Sequence, residues 1–453
     1  MAEKRRTGRP EPRRKETPAR RRDMSSARER SRSERERVAN RSERPHSGRE
    51  RVAEKGKRHD KKYLEKERAR RSGRRYSGER KKVEKKERTT GSIDYPFLIL
   101  VLILMAIGLI MLFSASHATA YEEGHASTYY FSRQAIFAVA GIAIMIMISF
   151  MDYRRFRMFS PMLLMISIGL LIAVLLVGTG NYGEKRWINL GFTQFQPSEI
   201  AKVAVIFFFS SMISVNTTKM HTFRHGVLPY VVVLAIISGL MFLEPHLSGA
   251  ILIVGVGAAL MFMGGTHWKW FAIAVGSAGV AGAAAISFLD YARQRVDTWM
   301  NPFNDPSDSG YQIIQSLYAI GSGGALGLGF GNSRQKYLYL PEAHNDFIFA
   351  IVCEELGFIG ALLILILFAL LVVRGFWIAL HARDKFGSLL AGGITTMVAL
   401  QTVLNIGVVT GVLPVTGAAL PFFSYGGTAL LILLAEMGVV LSVSRYIPAK
   451  KAG

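Results

Sequence analysis

The chain has 453 residues, half of them hydrophobic, and a formal net charge of +23. Charge and hydrophobicity lie apart: residues 1–90 hold 36 Lys and Arg against 16 Asp and Glu, and residues 91–453 hold 20 against 17. The single cysteine, Cys353, excludes an internal disulfide framework and a Cys-rich metal site, and reads as a small buried hydrophobe inside a span.

Residues 1–92 are dense in Arg, Lys, Glu and Ser and poor in large apolar side chains. Such a segment cannot bury enough surface to offset chain entropy, so a disordered basic cytoplasmic tail is expected. It lacks an apolar signal-peptide core and a cleavage site. Basic tails bind nucleic acid or anionic lipid. No folded nucleic-acid motif accompanies this one, which favours a solvated arm that fixes topology and brushes the anionic leaflet.

From Tyr95 onward, apolar runs of bilayer-crossing length recur. Ten are predicted, over 95–115, 133–151, 158–177, 198–215, 226–243, 248–265, 269–289, 347–373, 388–412 and 422–444. The expected architecture is an all-α membrane protein, a polytopic bundle of about ten transmembrane helices over 93–447. A large outer loop spans 291–346 and a short inner tail 448–453. With the head inside, inner loops carry twelve Lys and Arg and outer loops seven, in accord with the positive-inside rule. Six of the seven outer bases cluster in two loops, which asks for a reason beyond topology.

The first of these loops reads GTGNYGEKRWINLGFTQFQPSEIAK over 178–202 and supplies Lys185, Arg186 and Trp187. Pro197-Ser198-Glu199 has the form of a helix start. Glu199 and Lys202 then share one helical face. They are either a self-satisfied ion pair at the membrane edge or a functional pair, since charge just inside a span is costly. Trp187 has the ordinary reading of an interfacial anchor. Glu244-Pro245-His246 closes the fifth span, and its lone histidine reads as an exposed interfacial residue with no zinc partner at ligand spacing.

The second loop gathers acids (Asp297, Asp305, Asp308, Glu342, Asp346), bases (Arg293, Arg295, Arg334, Lys336) and a glycine run over 321–331. A long polar and aromatic loop between spans is more often functional than ornamental. Residues 309–320 read as a short amphipathic helix lying on the membrane. The glycine run matches neither a Walker motif nor a dinucleotide fingerprint, so close backbone packing explains it as well as a phosphate cradle does. The absence of a nucleotide-binding domain argues against an ATP-driven pump. Glu354, Glu355 and Glu436 fall within spans and should face the bundle interior or a wet cavity. The turn GAALPFFSYGG over 417–427 is full of breakers, tolerated at membrane depth only against protein or water.

Several stretches in order, GEKRWINLG, QPSEIAK, WMNPFNDPSDSGYQIIQSLYAIGSGG, GNSRQKYLYLPEAHNDFIFAIVCEELG and LPFFSYGG, resemble the SEDS family (shape, elongation, division and sporulation). The resemblance covers about 93–447 and excludes the basic head. The loop motif GNSRQKYLYLPEAHNDF is more similar to the division branch, FtsW, than to the elongation branch, RodA; the sporulation branch, SpoVE, is close to FtsW.

The resemblance implies a peptidoglycan glycosyltransferase that polymerises lipid II at the outer face of a bacterial cytoplasmic membrane, with both termini inside and enrichment at the division septum. The family's catalytic acid, in P-E-x-x-x-D, falls on Asp346, and its R-W-I tryptophan on Trp187. The Glu and Lys of Q-P-S-E-I-A-K fall on Glu199 and Lys202. Arg186, Arg293, Arg295 and Lys336 then join Lys202 in facing a pyrophosphate, with Lys185, Glu342 and Ser424 among the substrate contacts. Asp346 ends a loop where the chain enters a span, which suits a general base; the plainer reading is a helix-start acid. A divalent cation such as Mg or Mn is one way to share the pyrophosphate charge, although no loop shows a dedicated metal motif. Implied partners are a class B penicillin-binding protein, other division proteins and membrane lipids, and no nucleic acid. One departure stands out: the family commonly has Asp where this chain has His246. Two other classes compete. A lipid II flippase would want an inverted repeat and midplane ionisable groups. A scaffold would not need acids and bases facing one another.

Overall fold

The computed structural model describes residues 91–447 apart from 179–185, 190, 192, 245, 289, 305 and 307–309. The basic head, Lys185 and the tail after Ile447 therefore lie outside the described residues. The chain divides into two units, Met1–Arg88 and Thr89–Gly453, and the helices below belong to the second.

In chain order these are α1 (Tyr95–Glu122), α2 (Tyr129–Phe150), α3 (Arg155–Val177), a two-stranded hairpin β1 (Ile188–Asn189) and β2 (Gln194–Phe195), α4 (Pro197–Val215), α5 (Leu228–Leu243), α6 (Leu247–Gly264), α7 (Trp268–Phe288), α8 (Asp290–Met300), α9 (Tyr311–Gly323), α10 (Ile348–His381), α11 (Lys385–Val409) and α12 (Gly427–Ser444). Among the described residues nine helices are long and apolar enough to cross a membrane, α5 being counted with the helical turn before it. The 21-residue α7 coincides with the seventh predicted run and, at ~1.5 Å per residue, reaches across a hydrocarbon core. Every predicted span is thus met by a helix, with shifted ends: the first continues to Glu122 and the last begins at Gly427. This is a multi-pass membrane protein.

Local chemistry sets the ends. Asp94 caps α1 by accepting from Phe97 N at 3.0 Å, with Pro96 in the first turn. Asp384 caps α11 by accepting from Gly387 N at 2.8 Å. Helices α4, α6 and α11 pack on one another in the centre, with α12 along α2 and α10 along α11 and α1. Large apolar side chains such as Ile99, Met165, Leu176 and Leu363 point outward, as a lipid-facing surface requires. One end of the bundle is tied by Asp94–Arg374 (2.7 Å) and Arg154–Asp384 (3.0 Å). The other carries the hairpin and the long loops.

Helix α9 turns the apolar face of its amphipathic pattern to the bundle. Ile313, Ile314 and Ala319 are buried, α9 packs against α10, and Ser316 Oγ donates to Val409 O at 2.7 Å, so its apolar face serves the bundle.

Helix α10 is broken at Gly357 (φ 67°, ψ −170°), and the glycine run fills the break. Leu328 N donates to Glu354 O at 3.0 Å, and Phe358 N donates to Gly324 O at 2.9 Å. A Cβ on Gly327 would lie 2.1 Å from Glu355 O, and one on Gly357 would lie 2.2 Å from Gly327 N. Only glycine permits this approach. The run is a backbone-to-backbone seam, not a phosphate cradle.

Candidate active site

A cavity of about 720 Å³ opens at the end of the bundle that carries the long loops. Arg186, Trp187, Glu199, Lys202, Glu342 and Asp346 all line it, although they come from three separate stretches of sequence.

The hairpin presents Arg186 and Trp187. Its strands pair Ile188 with Phe195 and Asn189 with Gln194, turning the chain back into α4. Helix α4 starts at Pro197, as its sequence predicts, and Glu199 sits in its first turn. Lys202 follows one turn later and pairs with Glu199 at 2.8 Å; the two side chains are only 6% and 16% exposed. Lys202 Nζ also donates to Gln401 Oε1 at 3.4 Å, and Gln401 Nε2 donates to Ala419 O at 2.9 Å. The pair is therefore tied to α11 and to the last outer turn.

Asp346 immediately precedes the cap position of α10, Phe347, whose own side chain makes no capping bond. The backbone around Asp346 is fixed from three sides. Asn405 Nδ2 donates to Asp346 O and to Ala418 O, both at 2.7 Å. Ser424 Oγ donates to Asn345 O at 2.7 Å, and Tyr425 N donates to His344 O at 3.0 Å. Glu342 adopts a positive φ of 55°, a sparsely populated region for a non-glycine residue, in the turn leading to Asp346. Asn345 Nδ2 bonds its carboxylate. A Cβ placed on Gly417 would lie 3.1 Å from Asp346 Oδ2 and 4.0 Å from Arg186 Nη1, so carboxylate and guanidinium converge beside that glycine.

His246 corrects its sequence reading. It is 7% exposed and lines the cavity instead of facing water. Burial pushes its imidazole down to about 3, with Arg186 and Lys202 adding to the effect, so it stays neutral. Glu244 is buried beside it, and burial lifts its carboxyl to about 8 against the pull of Arg186.

Other sequence-predicted residues lie elsewhere. Lys336 is fully buried: its Nζ bonds Glu355 Oε1 at 2.9 Å, Gly331 O at 2.6 Å and Ser114 Oγ at 3.2 Å. Beside it Glu354 accepts from Ser333 Oγ and from Arg334 N at 3.0 Å. Lys336 thus fastens the loop to the broken helix and does not reach the cavity. The sequence placed its acidic partner, Glu355, inside a span, which hid the pairing. Arg293 is exposed on α8 in a long pair with Asp297 at 4.0 Å, away from the cavity lining. Arg295 lies on α8 with its side chain outside the described residues, and Lys185 lies outside them altogether. Ser424 is a strut, accepting from Leu420 N at 2.7 Å as well as bonding Asn345.

Sequence reasoning missed the aromatic side of the cavity: Glu123, Tyr129, Tyr130, Arg133, His344 and Tyr425. The available signal was the Tyr-Tyr pair with a base one helical turn on, set at the head of a span where aromatics usually mark the interface. Among the described residues no group of three or more His, Cys, Asp or Glu is placed to hold a metal ion.

Comparison with known proteins adds kinship. A family model described as "Cell cycle protein", covering FtsW, RodA and SpoVE, matches residues 95–448. The chain is 42% identical to stage V sporulation protein E of Bacillus subtilis, over 78% of this chain and 98% of that protein. It is 39% identical to a probable peptidoglycan glycosyltransferase FtsW of Geobacter metallireducens, over 78% of this chain and 94% of that one. Among solved structures, it resembles a chain of a peptidoglycan synthase complex that coordinates polymerization and crosslinking, with a TM-score of 0.67 and 28% identity over 78% of this chain and 98% of that chain. It also resembles the rod shape determining protein RodA of Thermus thermophilus, with a TM-score of 0.59 and 27% identity over 79% and 98%.

Proposed function

The chain belongs to the FtsW/RodA/SpoVE family of cell cycle proteins, and on that premise we propose that it is a peptidoglycan glycosyltransferase that polymerises lipid II at the outer face of the cytoplasmic membrane, with Asp346 as general base. The observation that carries this reading is the convergence of Asp346 and Arg186 beside Gly417, in a cavity that also holds the Glu199–Lys202 pair.

Glycan elongation needs a sugar hydroxyl made nucleophilic and a pyrophosphate made a better leaving group. Asp346 takes the proton of the acceptor hydroxyl. The hydroxyl oxygen bonds the anomeric carbon of the donor sugar. The bond from that carbon to the pyrophosphate oxygen breaks, and its electron pair leaves with undecaprenyl pyrophosphate. A positioned base contributes ~10²–10⁴ in rate. Arg186 and Lys202 face the charge that grows on the leaving oxygen, in a site drier than bulk water. Neutral His246 adds no competing charge where the family commonly carries an acid.

The similarity to FtsW and SpoVE supports a role in septal wall synthesis, with division or sporulation as the setting. The similarity to a chain of a synthase complex supports action beside a class B penicillin-binding protein that crosslinks the product. The hairpin and long loops face outward and both termini inward, in agreement with the distribution of Lys and Arg. The test is incubation of purified lipid II with the purified protein, alone and with its transpeptidase partner, with glycan length read on a gel. Polymer is expected. Lipid II translocation in liposomes without polymer would replace this reading with a transporter.

A further inference from the structure

The cavity has two unlike walls. On one, Arg186, Lys202 and neutral His246 lie with Glu199, which is already paired with Lys202. The other is aromatic. Tyr130 packs edge-on to Tyr129 at 5.2 Å and to Tyr425 at 4.8 Å, and His344 lies tilted 4.6 Å from Tyr130. Two charged groups edge this wall: Glu123, which accepts from Tyr130 OH, and Arg133, which donates to Tyr129 OH at 2.8 Å and lies 5.0 Å over that ring. Residues 344–346 run from one wall to the other, His344 among the rings and Asp346 beside Arg186.

A pyrophosphate belongs on the cationic wall. A pyranose offers an apolar C–H face and a rim of hydroxyls. Aromatic rings bury the face, while an edging carboxylate and guanidinium bond the rim. We propose that the Tyr129–Tyr130–Tyr425 wall, with Glu123 and Arg133, is the acceptor-saccharide subsite and takes an amino-sugar ring whose free hydroxyl points at Asp346. This rests on the glycosyltransferase reading and separates acceptor from donor within it.

The probes are N,N′-diacetylchitobiose, a soluble amino-sugar disaccharide, and inorganic pyrophosphate. Each is titrated by ligand-observed NMR into the detergent-purified full chain. Tyr129 is half-buried and stacks on His125 at 4.1 Å, so its Phe variant, which keeps that stack, is read beside its Ala variant. Tyr129→Ala should weaken disaccharide binding about tenfold and leave pyrophosphate binding unchanged. Tyr129→Phe, which keeps the ring, should stay within about twofold of wild type. Arg186→Ala should show the reverse selectivity. Absence of disaccharide binding to wild type, equal binding by Tyr129→Ala, or loss of disaccharide binding on Arg186→Ala alone would overturn the assignment. Lipid II polymerisation by the same wild-type preparation is scored separately: retained disaccharide selectivity without polymer would refute the glycosyltransferase reading and leave a saccharide site standing.

Discussion

Lys336→Met would leave the Glu355 carboxylate inside the bundle without its cation. Both side chains of the pair are fully buried and 2.9 Å apart. Removing one member of such a pair destabilises by roughly 3–5 kcal/mol. Glu355 would keep Ser114 Oγ at 2.6 Å and Ser333 N at 3.3 Å, which places the expectation near the lower figure, about 3 kcal/mol. Activity should fall with stability, because Lys336 also ties Gly331 O and so anchors the segment that leads to Asp346. A ~1 Å displacement of a catalytic group can cost ~10²-fold in rate. The assay is thermal unfolding in detergent beside lipid II polymerisation. A Lys336→Met/Glu355→Gln double variant should regain much of the lost stability, since it removes the stranded charge. Unchanged thermal stability with lost polymerisation would refute the reasoning and return Lys336 to the substrate contacts its motif suggests.

Trp187→Ala should lower polymerisation with little change in folded yield, whereas parallel loss of both would make the ring an interfacial anchor. Gly417→Ala, at φ 72° and with a Cβ 3.1 Å from Asp346 Oδ2, should depress activity more than thermal stability; a normal rate would show that the carboxylate can move aside. Glu244 titrates at about 8 in the folded chain against 4.5 for an ordinary glutamate. Between those values the folded state keeps a proton that the unfolded state has lost, so Glu244 weakens the fold progressively as pH rises through that window. Glu244→Gln should therefore flatten the fall in thermal stability toward pH ~8, and an unchanged pH profile would contradict its burial as a protonated acid.

Much of the fold was legible because a bilayer imposes one rule on every span. Length and apolarity placed each predicted span on a helix of the described residues, and Pro197 with Glu199 marked the start of α4. What failed was the direction of side chains within the loops. Lys336 looks like the other loop bases Arg334 and Arg293 in sequence, yet it is buried against Glu355 beside the break at Gly357. That break depends on glycine seating against glycine across the bundle, which periodicity does not encode. His246 was read as exposed because the cavity it lines takes its other walls from residues distant in sequence, Arg186 and Gly417 among them. Asp346 was legible through its motif, but its fastening by Asn405 and Ser424 joins residues 59 and 79 apart.

The proposed general-base role of Asp346 is tested most directly by Asp346→Asn. Asn preserves the shape and the backbone bonds from Asn405 and Ser424 but cannot take a proton. The measurement is glycan length after incubation with purified lipid II and the transpeptidase partner, with expression and thermal stability of the variant followed in parallel. Polymer should fall by about three decades, equivalent to ~4 kcal/mol of barrier, while folding and partner binding are unchanged. Near-normal polymer from a folded Asp346→Asn would remove Asp346 from the mechanism and shift the base to Glu199 or Glu342.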